Sequence, residues 1–258
     1  MVFSSNVFLF LFLPIFLGLY YLSGQRYRNL LLLIASYVFY AWWRVDFLAL
    51  FAGVTLWNYW IGLKVGAAGV RTKPAQRWLL LGVAVDLCIL GYFKYANFGV
   101  DSINAMMTSV GLEPFILTHV LLPIGISFFT FQTLTYAIEV YRNEHAPFER
   151  PDHYLLYKLI FPHAIAGPII RFKSVAAQVV DRNETPDDRL IGLFRFSLGL
   201  AKKVLIANVL AKQADLYMGG DLQALSFDEA WIGIIAYTFQ IYFDFSGYSD
   251  MAIGLARM

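Results

Sequence analysis

Long apolar runs separated by short polar strings set the pattern of this chain, and they fall at roughly residues 7–23, 29–45, 47–65, 77–97, 116–140, 190–211 and 230–252. A helix crosses a bilayer with about 20 mostly apolar residues. Only helices and closed barrels satisfy their own backbone in hydrocarbon, and the ten-residue alternation of barrel strands is absent here. The pattern predicts an all-α, polytopic integral membrane protein with about seven transmembrane helices. Its second run is short and tilts or pairs with the third. Residues 154–170, YLLYKLIFPHAIAGPII, are as apolar, but Pro162, Gly167 and Pro168 interrupt them and discourage a continuous helix. A broken or re-entrant segment is predicted. Such backbone is tolerated at membrane depth only when packed in protein or lining a polar cavity, which makes it a candidate site wall.

Composition strengthens this reading. Of 258 residues, 59% are hydrophobic and 15% charged, against about 45–50% and about 25% in soluble domains, and the mean hydropathy is +0.59. A net charge of +2, scattered between apolar runs, gives no footprint for a nucleic acid. The charges mark topology instead. Loops holding Arg26 and Arg28, then Lys64, Arg71, Lys73 and Arg77, then Arg142 and Arg150 alternate with loops poor in Lys and Arg that hold Asp101 and Glu113, later Asp215, Asp221, Asp228 and Glu229. Basic short loops stay cytoplasmic, so the N-terminus is expected outside and the segment of about 142–203 cytoplasmic or interfacial. No Asp, Glu, Lys or Arg precedes Arg26, so the first run lacks the basic start of a signal peptide and reads as a retained helix. One membrane domain covers 1–258. Run 190–211 is unusual in carrying Arg195, Lys202 and Lys203, with Lys212 just beyond, and either spans or lies partly in the interface with its lysines snorkelling. Aromatic clusters at 40–44 and 57–60 suit interfacial belts. The single Cys88 permits no intrachain disulfide.

Ionisable residues inside a span mark a polar path, a site or a buried partner. The densest group is YFDFSGYSDMAIG, residues 242–254, with Asp244, Ser246, Tyr248, Ser249 and Asp250. Helical spacing sets Asp244 near Tyr248 and Ser246 near Asp250, and Gly247 permits a kink or a close helix approach. Two readings stay open: carboxylates facing a shared cavity, or carboxylates that cap a break and bond neighbouring helices. Asp86 and Lys94, two turns apart, each need an interior partner or an interface. Ser127, Thr130, Gln132 and Thr133 line either a cavity or a helix contact. Of the four histidines only His163 has a buried setting; His119 lies near a span end, His145 and His153 in a charged loop. The spacing fits no metal centre. Arg171 either holds an anionic group at a membrane face or anchors the interface. No phosphate loop, nucleophile elbow or paired-cysteine motif occurs.

FSSNVFLFLFLP at 3–14, LPIGISFFTFQ at 122–132, FPHAIAGPIIR at 161–171 and FDFSGYSDMAIG at 243–254 together resemble the membrane-bound O-acyltransferase family, in its alginate O-acetyltransferase branch. The resemblance implies acetyl transfer from a cytoplasmic donor, with acetyl-CoA the natural choice, toward a periplasmic polysaccharide, alginate. It implies a bacterial inner-membrane, multi-pass location, contact with membrane lipid, periplasmic partner proteins that complete acetylation, and no resident cofactor. D-alanyl transfer to teichoic acid is the alternative inside the family, and a non-catalytic transporter the alternative outside it. The residues carried over as motif or channel-lining positions are Gln132, His163, Pro168, Arg171, Asp244, Ser246, Gly247, Tyr248 and Asp250, although His163 stands where relatives often have glutamine. The family's catalytic histidine follows the FDFSGYSDMAIG motif, beyond Met258, so no catalytic residue is assigned within 1–258. The ending LARM, inside an apparent helix, suggests the front part of a longer protein, expected to be inactive alone.

Overall fold

The computed structural model describes residues 3–42, 44–115, 119–163, 172–180, 185–220, 222 and 225–258. Helix is the only regular secondary structure among them. The chain divides into two compact units: Met1–Trp43 with Leu159–Pro168 and Asp181–Met258, and Arg44–Lys158 with Ile169–Val180.

In the second unit α3 (Asp46–Ala67), α4 (Lys73–Ser109) and α5 (Ile126–Tyr141) pack on one another, and α7 (Phe172–Val180) lies on α5. Helix α4 starts where Thr72 accepts a bond from the Ala75 N–H and Pro74 fills the first turn, a proline position that loses no intrahelical bond. It runs well past residue 97, where apolar periodicity suggests an end. Its last turns are polar because they hold the following segment: Asn97 donates to the Val120 carbonyl at 2.8 Å and accepts from its N–H at 2.9 Å, and Asn104 does the same for Phe115. The run expected as helix from 116 becomes helical only at Ile126. Pro123 and Gly125 precede it, the latter with φ +78°, a conformation glycine adopts without strain. Residues 116–118 lie outside the described residues.

Among the described residues two helices, α3 and α4, are long and apolar enough to cross a membrane, and Phe8–Leu22 is a shorter apolar helix. Core helices of soluble proteins share that length and apolarity but are buried. In α4 only 11% of the most apolar stretch is buried, and Leu80, Leu87, Tyr95 and Phe98 stand exposed along it, as on a lipid-facing surface.

The first unit is built on a helix pair. Thr185 caps α8 (Pro186–Ala201), which continues through a π-helical stretch, Lys202–Ala207, into α9 (Asn208–Met218). Helix α10 (Phe227–Arg257) starts on a capping box in which Ser226 and Glu229 bond each other's backbone and packs along that whole length. The remaining core is aromatic. Phe3, Phe8, Phe12, Phe16, Phe39 and Phe161 stack or meet edge to face, bringing together the N-terminal π turn (Phe8–Phe12), α1 (Leu13–Leu22), α2 (Gln25–Ala41) and a short 3₁₀ turn, Phe161–His163. That turn follows α6 (Pro151–Leu159), so the segment expected to be broken is interrupted within 154–163. Its remainder lies outside the described residues.

Candidate functional site

Helix α10 and the α8–α9 helix run antiparallel at backbone contact, and glycines make this possible. A Cβ on Gly199 would sit 2.5 Å from the Gly247 carbonyl oxygen, and one on Gly192 would sit 2.7 Å from the Gly254 carbonyl oxygen. The two rungs are seven residues apart on each helix. This spacing keeps both on one face, and small residues there let backbones approach closely.

Close approach places the polar residues of the 242–254 motif opposite cations. Asp250 accepts from Arg195 Nε at 3.0 Å and from Lys202 Nζ at 2.6 Å; Lys202 also donates to Ser246 at 3.1 Å. Lys203 pairs with Asp244 at 2.7 Å, and Arg257 lies 3.9 Å from Asp188. Lys202 and Lys203 are adjacent in sequence and both engage α10 where the helix widens to π geometry, the local bulge that proteins favour at functional positions. Of the two readings of the motif, the geometry supports helix-to-helix bonding for Asp244 and Asp250. A carboxylate holding two charge-assisted bonds is a poor general base. Lys202 and Lys203 both point at α10.

Tyr248 closes the other side of the motif. Its hydroxyl donates to the Pro162 carbonyl at 3.3 Å and its ring stacks on Phe3 at 4.7 Å, so the first, third and fourth sequence motifs meet at one residue. Ser249 Oγ is buried without a hydrogen-bond partner among the described residues. Pro168 and Arg171 lie outside the described residues, as does the side chain of His163. Of the other histidines, His119 is exposed and His145 bonds the Ala146 carbonyl. No group of His, Cys, Asp or Glu suited to a metal occurs among the described residues.

Gln132 belongs to the second unit, where its amide reaches the Tyr157 carbonyl at 3.4 Å. The same α5–α6 contact contains a residue the sequence reading passed over. Lys158 is 1% exposed, donates to the Phe129 carbonyl at 2.8 Å and lies 4.1 Å over the Phe129 ring. Asp86, also buried, finds its partner in Asn58 of α3 at 2.8 Å, while Lys94 stays exposed over Tyr95. A lysine within an apolar run was the available signal for Lys158.

Comparison with known sequences decides the relationship. The chain is 69% identical over all 258 residues to a probable alginate O-acetylase of Pseudomonas putida and 64% identical, again over its full length, to that of Pseudomonas aeruginosa. By sequence, the chain is similar to alginate O-acetylases from end to end. It spans about half the length of these relatives, 53% and 49% respectively. A peptidoglycan O-acetyltransferase of Helicobacter pylori is 37% identical over 99% of the chain and 53% of its own length. No family model matches. Both kinds of relative are named for moving acetyl to a polysaccharide, and the alginate O-acetylases are much the closer in sequence.

Proposed function

We propose that this chain is part of a multi-pass inner-membrane O-acetyltransferase that passes acetyl from a cytoplasmic donor, acetyl-CoA, toward periplasmic alginate, with periplasmic proteins completing the transfer. The observation that carries this reading is identity of 64–69% to alginate O-acetylases along every part of the chain. The physical form suits an acyl-transfer protein of the membrane, with two helices long and apolar enough to span and a helix pair locked by four cations and three carboxylates. Seven spans, an external N-terminus and a cytoplasmic 142–203 segment complete the topology. Within 1–258 the role of Asp244, Ser246, Gly247, Tyr248 and Asp250 is to fix the geometry of the α8–α10 helix pair, and Gln132, His163, Pro168 and Arg171 are the other motif positions of the acyl-transfer protein. The acid–base residue comes from elsewhere in the full-length protein.

The test is the O-acetyl content of polymer secreted by cells that carry the full-length protein as their only acetylase. Acetylated alginate is expected, and acetylated peptidoglycan with unmodified alginate would move the assignment to the other relative's acceptor. Residues 1–258 produced alone are expected to transfer no acetyl. Turnover by them would overturn the assignment of acid–base chemistry outside this stretch.

A further inference from the structure

Acetyl transfer across a membrane leaves a proton to be accounted for. A hydroxyl and a thioester become an ester and a thiol: the O–C bond forms, the C–S bond breaks, and the proton lost by the hydroxyl is the one the thiol gains. If the hydroxyl waits on one face and the thioester on the other, one proton must enter the donor side for each acetyl that leaves it. Resting on the acyl-transfer reading above, the second unit contains groups placed for that traffic.

Along one buried face of α5 stand Glu139, Tyr136, Gln132 and Phe129, ten residues from Glu139 to Phe129 and so about 15 Å along the axis. Glu139 is three residues from Arg142, in the basic string assigned to the donor face. At the other end Thr130 and Phe129 border a small cavity that also contains Asp86 and is walled by Leu50, Phe51 and Val54. Helix α6 covers the interval with Tyr154, Tyr157 and Lys158, each no more than 3% exposed. The rings of Tyr136 and Tyr154 are 4.6 Å apart and those of Tyr154 and Tyr157 6.2 Å. Asp86 lies within Coulombic reach of both Lys158 and Tyr154, and Tyr157 within reach of Glu139.

This arrangement is costly as mere packing. Buried tyrosines ordinarily find a partner for their hydroxyl, yet that of Tyr154 has none among the described residues. Asp86 and Lys158, both buried ionisable groups, form no ion pair with each other: Asp86 takes one bond from Asn58, and Lys158 gives one to a carbonyl. A carboxyl, an amine and phenols held side by side without being tied to one another can change proton partners with small movements. We infer that Asp86, Lys158, Tyr154, Tyr157, Tyr136 and Glu139 form a proton path between the middle of α4 and the basic face of the membrane, serving acetyl transfer.

The full-length protein in lipid vesicles tests this with infrared difference spectra after a change of bulk pH or of H₂O for D₂O. A carboxyl signal that disappears in Asp86→Asn is expected to follow the bulk solvent, and Tyr154→Phe and Glu139→Gln, both close to isosteric, are expected to slow that response about tenfold. An Asp86 signal blind to the solvent, or one whose rate neither variant changes, overturns the path. In the same vesicles supplied with periplasmic extract, which provides the proteins that complete the transfer, acetyl transfer from acetyl-CoA to polymannuronate is expected to fall about a hundredfold in Asp86→Asn, the lower end of what a positioned proton-transfer group contributes. Wild-type transfer by a folded Asp86→Asn protein overturns the path's role. A wild type that transfers no acetyl while Asp86 still follows the solvent overturns the acyl-transfer reading and the use given to the path, and leaves only the site.

Discussion

Asp250 is the residue on which most of the helix pair's electrostatics converge. It is 15% exposed and serves two cations, whereas Asp244, 43% exposed, serves one. Hydrogen bonds to charged groups contribute roughly 1.5–3 kcal/mol when shielded from water, and exposed pairs about 0–1. Asp250→Asn is therefore expected to destabilise the full-length protein by about 2 kcal/mol, read as a lower Tm in detergent, and Asp244→Asn by less than half as much. Adding Lys202→Met to Asp250→Asn should recover part of the loss, because the stranded cation goes with its partner. Independent, additive losses would show that the two do not share an interaction. That these carboxylates carry weight was legible in the sequence, since charge in an apolar helix is rarely idle. Their partners were not: Lys203 is 41 positions from Asp244, and no local pattern links them. Lys158 escaped for the opposite reason, because one lysine in an apolar string also reads as an interfacial anchor.

At the scale of elements, glycines of one residue type divide by what surrounds them. Gly199 and Gly254 have no room, as a Cβ there would meet backbone at 2.5 and 2.6 Å, while Gly91 in α4 has open space within 4 Å. Gly199→Ala must separate α8 from α10 and is expected to cost about 1–3 kcal/mol, as overpacking does. Gly91→Ala is expected to gain about 0.5–1 kcal/mol by stiffening the unfolded chain. Opposite shifts in Tm check this, and a loss at both would show that α4 makes a contact at Gly91. The start of α10 carries a pH dependence. The Ser226 N–H, then its hydroxyl, hold the Glu229 carboxyl below the ordinary glutamate range. A lowered value stabilises the fold above the ordinary range, and that stabilisation is lost as the pH falls through the lowered value. Hydrogen-exchange protection of the first turn of α10 should fall on acidification in the wild type but stay level in Glu229→Gln; equal behaviour would remove the capping box as its cause. Apolar runs announced α3 and α10 as helices because a long run of apolar residues with no proline inside it sustains a helix. They failed at the end of α4 and the start of α5, where side chains such as Asn97 and a glycine with φ +78° set the boundary and hydropathy carries no trace of it.

For the whole molecule, α4 offers the most direct test of orientation. Its 37 residues extend about 55 Å, well beyond a hydrocarbon core of about 30 Å, so both ends must project into water or headgroups. The sequence along it agrees: Lys73 and Arg77 at one end, Asp101 and Asn104 at the other, and between them Asp86 turned inward while Leu87 and Cys88 face outward. If this outward face meets lipid, the only cysteine of the chain is out of reach of a water-soluble maleimide in intact membranes and becomes reactive when detergent unfolds the protein. Cysteines placed at the two ends in a Cys88→Ser background then report the sides. Val70→Cys, beside Arg71, should be labelled only after the inner face is opened, and Leu112→Cys, beside Glu113, from outside. Labelling of Cys88 in sealed vesicles would mean that α4 lies against water and that the charge asymmetry of its loops has another origin. Labelling of both end positions from one side would return α4 to the membrane surface and remove the face to which the proton path is assigned.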